Sequence, residues 1–427
     1  MGGICVALVV LGVGGCGGSA APIRYPVGGG SCSGQAPGCG SAQGTARSLA
    51  GFSWSAVAAP PLTSRFGQSS VWTGSELLVW GGVQENRSQT NANDGAAFDP
   101  ATRSWTAMPA SPLSPRNTAF TFWFEGRAYF WGGGNLSSVP LMDGASYDPA
   151  DGRWTTMPTS LLRADADGRQ AVVWTGTQMV VVQPSGGAAF DPALGIWTGL
   201  PGLPTVAGWE PYAIRAEWTG SVVVTWVASR PPTVNGLTPS GYRFDTYSWS
   251  PGAGAWTSVP DEPAGTPTGQ QGSSSPFGTA AIVGGRLLFL GGLDCPMGVS
   301  CPATDFYGGA WYDPASGTWT FLPANYSGGA GPAVWTGSAM VVFATKAGAE
   351  TESSPSEPSN NLPGRSSDTV KVGSAAAYDP STGAWTDLAR YPLSDLTAAS
   401  LAWTGRQLIV VAMNGDTGAE PQAEVLS

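Results

Sequence analysis

The residues of this sequence best suited to bind a ligand are three arginines, Arg65, Arg116 and Arg163. A guanidinium offers a planar fork of N–H donors that matches a carboxylate or a sulfate, so three converging arginines would form an anion site. The alternative is that each arginine pairs with a neighbouring aspartate or glutamate, or faces water. No pair of carboxylates stands out by its spacing, so the sequence predicts no catalytic residue.

The chain contains no histidine, and this excludes most common enzyme designs. Without histidine there is no Ser-His-Asp or Cys-His nucleophile and no His-ligated zinc, copper or haem. We therefore expect no metal and no cofactor. The formal net charge of −10 gives no electrostatic basis for binding nucleic acid or an anionic membrane surface.

The first residues predict an exported, lipid-anchored chain. Ile4 to Val13 is a short apolar run that suits the core of an export signal rather than a membrane span. It ends in Val13-Gly14-Gly15-Cys16, which resembles the lipobox of bacterial lipoproteins, where the cysteine is lipidated. We predict a signal over residues 1–15, lipidation at Cys16 and a location in the bacterial cell envelope. The alternative is a plain signal peptide, and the start lacks the usual basic residue.

The other cysteines predict local disulfides. With Cys5 inside the signal, the remaining four form two close pairs, Cys32 with Cys39 and Cys295 with Cys301. Close pairs in an exported chain favour disulfides, since neither spacing matches a redox or metal motif. Residues 16–50 are rich in Gly, Ser, Ala, Gln and Pro, which is typical of a flexible tether.

The elements that would position these groups repeat along the chain. The sequence has 62 Gly and 36 Pro beside 19 Trp, 14 Phe and 11 Tyr, which favours many short strands joined by tight turns. Six copies of one pattern are FDPATRSWTAMP (98–109), YDPADGRWTTMP (147–158), FDPALGIWTGLP (190–201), FDTYSWSPGAGAWTSVP (244–260), YDPASGTWTFLP (312–323) and YDPSTGAWTDLA (378–389). Each follows a segment like VWTGSELLVWGG (71–82), and a seventh such segment, AWTGRQLIVVAM, occupies residues 402–413.

Each copy predicts a four-stranded antiparallel meander. Thr-Gly and Asp-Pro form tight turns, and the apolar runs between them suit buried strands. The motif YDPxTGxW and the Gly-Gly pairs at Gly81-Gly82, Gly132-Gly133 and Gly291-Gly292 resemble the kelch-repeat family over about residues 52–427. The resemblance implies a β-propeller.

The two ends of the repeat region predict seven blades. The C-terminal residues 402–426 supply three strands of a blade, and residues 52–57 supply an unpaired fourth strand. Pairing the ends closes the ring and removes both sheet edges. We therefore predict an all-β, seven-bladed kelch-type propeller over residues 51–427, closed by an N-terminal strand in the last blade. Six blades plus a stray segment is the alternative.

The long connections indicate where binding would occur. They follow the second strands of blades four to six, at residues 229–240, 293–307 and 346–372, and binding on rigid scaffolds usually uses such loops. We expect a monomer that is a non-catalytic binding module for a protein or glycan. The resemblance also implies a carbohydrate-active alternative, a sialic-acid mutarotase-like enzyme or a lyase, while a copper oxidase is excluded without histidine. A third possibility is a purely structural paralogue.

Overall fold

In a computed structural model the chain is all-β and forms a seven-bladed β-propeller, as the sequence predicts. The structure describes residues 53–85, 89–136, 140–165, 169–232, 243–259, 279–290, 309–322, 333–344, 374–388, 399–413 and 422–426. The signal, the tether, the lipidation site and all predicted disulfides lie outside these ranges, as do connections 293–307 and 346–372 and most of connection 229–240. Within them, no helix is long and apolar enough to cross a membrane.

Each blade is a four-stranded antiparallel sheet. The first strand is β1 (Trp54–Ala56), and β2 (Arg65–Phe66) pairs with β5 (Val83–Gln84) in a separate ribbon. Blade 1 contains β3 (Ser69–Trp72), β4 (Leu77–Trp80), β6 (Gly95–Asp99) and β7 (Ser104–Ala107). Blade 2 contains β8 (Phe120–Phe124), β9 (Arg127–Trp131), β10 (Gly144–Asp148) and β11 (Arg153–Thr156). Blade 3 contains β12 (Ala171–Trp174), β13 (Met179–Gln183), β14 (Gly186–Asp191) and β15 (Ile196–Leu200).

The remaining blades repeat this order. Blade 4 has longer inner strands and contains β16 (Glu210–Trp218), β17 (Val223–Arg230), β18 (Arg243–Trp249) and β19 (Thr257–Val259). Blade 5 contains β20 (Thr279–Val283), β21 (Arg286–Leu290), β22 (Gly309–Asp313) and β23 (Thr318–Phe321). Blade 6 contains β24 (Ala333–Trp335), β25 (Met340–Ala344), β26 (Ser374–Asp379) and β27 (Ala384–Asp387). Blade 7 contains β28 (Ala399–Trp403), β29 (Leu408–Ala412), β30 (Gln422–Leu426) and β1.

The repeated turns have the chemistry that the motifs predict. In the Trp-Thr-Gly turn of blade 1, the Thr73 hydroxyl accepts a hydrogen bond from the backbone N–H of Glu76 at 2.9 Å. Gly74 adopts a φ of +100°, which favours glycine. In the Asp-Pro turn, the Asp99 carboxylate accepts from the Ala101 N–H at 2.8 Å. Side chains that complete their own turns explain why Thr, Gly and Asp recur in the repeat.

Among the described residues, the hydrophobic core is divided into seven clusters, one between each pair of neighbouring blades. Between blades 1 and 2, for example, Leu78 packs in the same cluster as Phe130. Every cluster includes or contacts the tryptophan of one fourth strand. These tryptophans are Trp54, Trp105, Trp154, Trp197, Trp256, Trp319 and Trp385. The repeating indoles therefore fill the spaces between blades, as expected for large apolar side chains.

Four of these tryptophans also join their blade to the one before it by a hydrogen bond. The indole N–H of Trp154 donates to the carbonyl of Pro109, the proline that ends the preceding repeat, at 3.0 Å. Equivalent bonds are Trp105 to Ala58 at 2.8 Å, Trp197 to Pro158 at 3.1 Å and Trp256 to Pro201 at 3.0 Å. The Trp-Thr-x-x-Pro spacing thus supplies both a donor and an acceptor for neighbouring blades, a function that the sequence alone did not reveal.

The N-terminal strand closes the ring in the last blade, which confirms the prediction. β1 pairs antiparallel with β30, with Trp54 opposite Leu426 and Ala56 opposite Glu424. Glu424 is 93% buried (7% exposed), and its Oε2 has no hydrogen-bond partner within the described ranges. Burial raises the pKa of Glu424, an effect that the charge of Arg103 opposes. The closing blade thus contains a buried carboxyl group.

Arg103 strengthens this closure from blade 1. It has a φ of +56° at a turn position where Gly152 of blade 2 has +67° and Gly195 of blade 3 has +68°. A side chain in this left-handed region costs energy, roughly 1 kcal/mol relative to glycine. The Arg103 guanidinium donates to the Ala56 carbonyl at 2.9 Å and the Ser55 hydroxyl at 3.1 Å. The bonds to β1 offset the backbone cost.

Candidate functional site

The connections after the second and fourth strands of each blade meet at one end of the propeller, the loop-rich face. Over blades 1 and 2 this face carries an ordered layer of connections that we call the platform. It is formed by residues 63–68, 81–94, 114–119 and 132–143. The structure does not describe residues 86–88 and 137–139 within these ranges. It includes the β2–β5 ribbon and isolated bridges that join Val83 to Asn91 and Asn117 to Gly134. By contrast, only two residues separate β13 from β14 in blade 3.

The Gly-Gly pairs of blades 1 and 2 allow neighbouring connections to cross at close range, while Gly291-Gly292 lies outside the described residues. Gly82 has a φ of +99° and its N–H donates to the Arg116 carbonyl at 2.9 Å. Gly133 has a φ of +81°, and a Cβ there would lie 2.4 Å from the Asn117 carbonyl oxygen. No side chain fits in that gap, so this glycine is required by the crossing segment as well as by its φ.

Arg65 is fully buried and acts as a clamp between three parts of blade 1. Its Nε donates to the Thr63 carbonyl at 2.9 Å. Its Nη1 donates to the Gly81 carbonyl at 3.1 Å and to Asp94 Oδ1 at 2.7 Å. Its Nη2 donates to the Thr63 hydroxyl at 3.1 Å and to Asp94 Oδ2 at 3.2 Å. All five N–H donors of the guanidinium are therefore used inside the protein.

Arg116 forms the same clamp in blade 2. Its Nε donates to the Ser114 carbonyl at 3.0 Å, and its Nη1 to the Gly132 carbonyl at 3.2 Å and Asp143 Oδ1 at 2.8 Å. Its Nη2 donates to the Ser114 hydroxyl at 2.9 Å and Asp143 Oδ2 at 3.0 Å. Hydrogen bonding to Arg116 lowers the pKa of the Asp143 carboxyl, so the carboxylate stays ionised beside the buried cation.

Arg163 does not occupy the equivalent position in blade 3. Leu113 and Leu162 are equivalent, because the N–H of each donates to a serine hydroxyl two residues earlier, at 3.1 Å and 3.0 Å. Three residues after them stand Arg116 in blade 2 and Asp165 in blade 3. Arg163 has an exposed side chain.

Arg65 and Arg116 each pair with a neighbouring carboxylate. The sequence had left this arrangement open as the alternative to an anion site. In blade 3 the carboxylate precedes the arginine along the chain, and Asp165 forms an ion pair with Arg169 at 3.2 Å. A joint role of Arg65, Arg116 and Arg163 in ligand binding stays a prediction. At the first two, a ligand would have to displace a bidentate carboxylate.

The platform presents apolar and acidic groups to solvent. Phe66 is 37% exposed and Leu136 is 51% exposed. The clamp carboxylates are half-exposed, with Asp94 at 53% and Asp143 at 61%, although their arginines are buried. Each clamp is neutral as a pair. The described residues of the platform therefore offer oxygen acceptors and apolar surface.

Two residues of the platform adopt left-handed backbone angles that side chains rarely take. Gln89 has a φ of +42° and Thr118, which is β-branched, has +51°. A β-branched residue in this region is a genuine outlier that only its surroundings can hold. The Thr118 N–H donates to the Gly67 carbonyl at 2.7 Å, and the Thr118 hydroxyl to Asn117 Oδ1 at 3.2 Å. The sequence carried no signal for this strain.

Blade 4 contains two further charged pairs that the sequence analysis missed, Arg215 with Glu217 on β16 and Arg243 with Asp245 on β18. Glu217 lies on β16, buried, and accepts hydrogen bonds from Arg215 Nε at 3.2 Å and Nη2 at 3.0 Å. Burial raises the pKa of Glu217, while the charge and hydrogen bonds of Arg215 oppose the rise. Glu217 precedes Trp218 of the Trp-Thr-Gly turn, and the residue at the same position is Val71 in blade 1 and Val173 in blade 3. A carboxyl at this apolar position is thus peculiar to blade 4 among these three blades.

The opposite face has short turns and a shallow depression of about 460 Å³ between blades 7 and 1. Trp72, Glu76, Asp99 and Thr404 are among its lining residues. Burial, and then the charge of Asp99, raise the pKa of Glu76. Across the described ranges, no three His, Cys, Asp or Glu side chains lie close enough together to hold a metal ion.

Comparisons with known proteins add little to this description. No family model matches the chain, and no curated protein matches it. Among solved structures, the chain is similar to the structure of YjhT, with 18% sequence identity and a TM-score of 0.45 over 63% of this chain and 87% of that one. The architecture therefore rests on the strand pairing of the chain itself.

Proposed function

We propose that this protein is an exported, lipid-anchored, kelch-type propeller that acts as a non-catalytic binding module through its loop-rich face. The observation that carries the proposal is the contrast on the platform. The buried guanidiniums of Arg65 and Arg116 use every N–H donor internally, while Phe66 and Leu136 of the same platform are exposed. A surface of this kind suits contact with a partner better than chemistry on a substrate.

The rigidity of the platform supports the same function. Its connections are hydrogen-bonded to their neighbours, as in the Arg65 N–H to the Met413 carbonyl at 2.9 Å and the Asn117 N–H to the Gly134 carbonyl at 2.9 Å. Side chains on such a base are held before a partner arrives, which lowers the entropy cost of binding. Lipidation at Cys16 and a tether over residues 16–50 would place residues 51–427 at the envelope surface.

The test is an envelope pull-down and a glycan array with the wild-type protein and a platform variant. Phe66, Leu136 and Leu161, an exposed residue of the connection that leads into blade 3, would be replaced together by serine. The control replaces Leu194 and Ile196 by serine, since both are exposed on the outer edge of blade 3, away from the loop-rich face. We expect the platform variant to lose the partner and the control to keep it. Equal retention by both variants would refute the proposal.

A carbohydrate-active enzyme is the second candidate, and Glu217 is the observation that favours it. A buried carboxyl with a raised pKa beside an arginine is the kind of group that exchanges protons with a substrate. We expect Glu217→Gln to abolish any sugar anomer interconversion or lyase activity, followed by NMR. Asp245→Asn is the matched control, because Asp245 is buried and paired with Arg243 at 2.7 Å on β18. Absence of turnover in the wild-type protein would remove this candidate.

A further inference from the structure

We infer that the depression between blades 7 and 1, on the face opposite the platform, binds a guanidinium group carried on an alkyl chain. This site is separate from the loop-rich face, so it does not depend on the binding function proposed above. Every connection after a first strand, and every connection after a third strand in blades 1 to 6, lies within the described ranges. Outside those ranges, Arg24 and Arg47 precede the closing strand in the sequence, and the experiment includes the nearer of the two.

Two other blades carry an arginine at the position that Glu76 occupies in blade 1. Strand register makes Glu76 equivalent to Arg127 in blade 2 and to Arg286 in blade 5. Arg127 forms an ion pair with Asp148 at 3.1 Å. The guanidinium of Arg286 lies 4.5 Å from the centre of the Trp311 ring. The repeat therefore holds an internal guanidinium here, against a carboxylate in one blade and an indole in the other.

Blade 1 has the carboxylate of this arrangement without the cation. Asp99 is equivalent to Asp148, and a hydrogen bond from the Ala101 N–H lowers the pKa of Asp99, so this carboxylate stays ionised. Glu76 is near enough that the charge of Asp99 adds to burial in raising the pKa of Glu76. Among the described residues, neither carboxylate forms an ion pair, although Arg406 stands exposed on the neighbouring turn of blade 7. Two like charges thus stand where blade 2 has a neutral pair.

The depression supplies the space and an aromatic wall for the missing cation. Its volume is about 460 Å³, and Trp72, Glu76, Asp99 and Thr404 are among its lining residues. A guanidinium offers a planar fork of N–H donors to carboxylates and also stacks on an indole. The equivalent depression between blades 4 and 5, of about 390 Å³, is lined by turn residues such as Thr219 and by no charged side chain. Of these two depressions, the one at blade 1 alone has the groups that a guanidinium requires.

The experiment is an NMR titration of the full-length chain with agmatine, at about pH 8, where carboxyl groups are ionised, and at constant ionic strength. We expect the backbone N–H signals of Gly74 and Ala101 to shift saturably, while that of Gly285 in the equivalent depression stays unchanged. Titration with N-acetylarginine amide shows whether an arginine side chain of a polypeptide enters as well as a free small molecule. Its citrulline counterpart has nearly the same shape and no charge, so it should bind at least tenfold more weakly.

The variants test the two carboxylates directly. Glu76→Gln should lower the affinity for agmatine at least fivefold, and Glu76→Arg should abolish binding, because it restores the arrangement of blade 2. The matched control is Glu125→Gln, which removes an exposed carboxylate of the same face outside the depression and should leave the affinity unchanged. Arg47→Gln should leave it equal or higher, since it removes a guanidinium that could compete. Each variant should melt within a few degrees of the wild-type protein.

Several outcomes would overturn the inference. They are the absence of a saturable shift at Gly74 and Ala101, equal binding of the citrulline compound, and unchanged affinity in Glu76→Gln or Glu76→Arg. An equal loss in Glu125→Gln would also overturn it, because the face would then attract cations without a specific site. None of these results would bear on the platform, whose variants are tested separately.

Discussion

Two glycines in blade 2 allow the close crossing of connections to be measured directly. Gly133 and Gly126 both have a φ of +81°, so alanine meets the same backbone penalty at either site. At Gly126 a Cβ would meet nothing within 4 Å, whereas at Gly133 it would lie 2.4 Å from the Asn117 carbonyl oxygen and 2.9 Å from the Ala119 nitrogen. The difference between the two variants therefore isolates the steric contact.

The magnitudes follow from these distances. Alanine in the left-handed region costs about 1–2 kcal/mol, and the lower entropy of its unfolded chain returns about 0.4–1 kcal/mol. We expect Gly126→Ala to lower the free energy of unfolding by roughly 1 kcal/mol. Gly133→Ala should lose a further 1–3 kcal/mol, roughly, because the crossing segment must move to admit the methyl group.

Urea denaturation followed by tryptophan fluorescence would measure the free energy of unfolding of both variants and of the wild type. The dependence of that free energy on urea concentration should be the same in all three proteins. Equal destabilisation by the two substitutions would refute the reasoning, since it would mean that the crossing segment yields without cost. A larger loss at Gly126 would refute it as well, because open space surrounds that position.

Three other substitutions test separate features. Trp154→Phe keeps a ring between blades 1 and 2 but removes the N–H that donates to the Pro109 carbonyl. It should therefore cost about 0.5–1.5 kcal/mol for the hydrogen bond, plus a smaller packing loss. Trp154→Ala should cost roughly 3–5 kcal/mol in the same denaturation assay. Burial raises the pKa of Glu424, so the folded state binds the proton more tightly, and the free energy of unfolding falls as the pH rises above the ordinary value of 4.5. Glu424→Gln should flatten the decline of the melting temperature with pH above that value. An unchanged slope would contradict the raised pKa of Glu424. Cys16→Ser should move the protein from the membrane fraction to the soluble fraction, and a wild-type protein that is wholly soluble would remove the anchor.

The fold was predictable because its determinants are local. Thr73 and Asp99 complete their own turns within three residues, and the apolar runs between such turns are long enough for one strand each. The closure by residues 52–57 followed from counting strands, and β1 confirms it. Turn chemistry and strand count together sufficed to predict seven blades.

The candidate site was less predictable because it depends on the paths of connections. Arg65 meets Asp94 only after the chain has passed through three strands, β3, β4 and β5, and no pattern in the sequence joins the two residues. In blade 3 the register of the connection places Asp165 at the position of Arg116, and Arg163 stands two residues before it. The strained backbone of Thr118 likewise depends on contacts made by Gly67 and Asn117.

The closing strand also fixes the order in which the molecule can be completed. The Ser55 hydroxyl donates to the Val425 carbonyl across 370 positions of sequence, so this bond must wait for the last strand to be synthesised. Joining segments this far apart costs about 5 kcal/mol of chain entropy if nothing between them has folded. Blades 1 to 6, each a meander of neighbouring strands, can form earlier and shorten the remaining gap. A chain stopped before β30 would keep β1 unpaired and would leave an open sheet edge, which is a template for pairing with another chain.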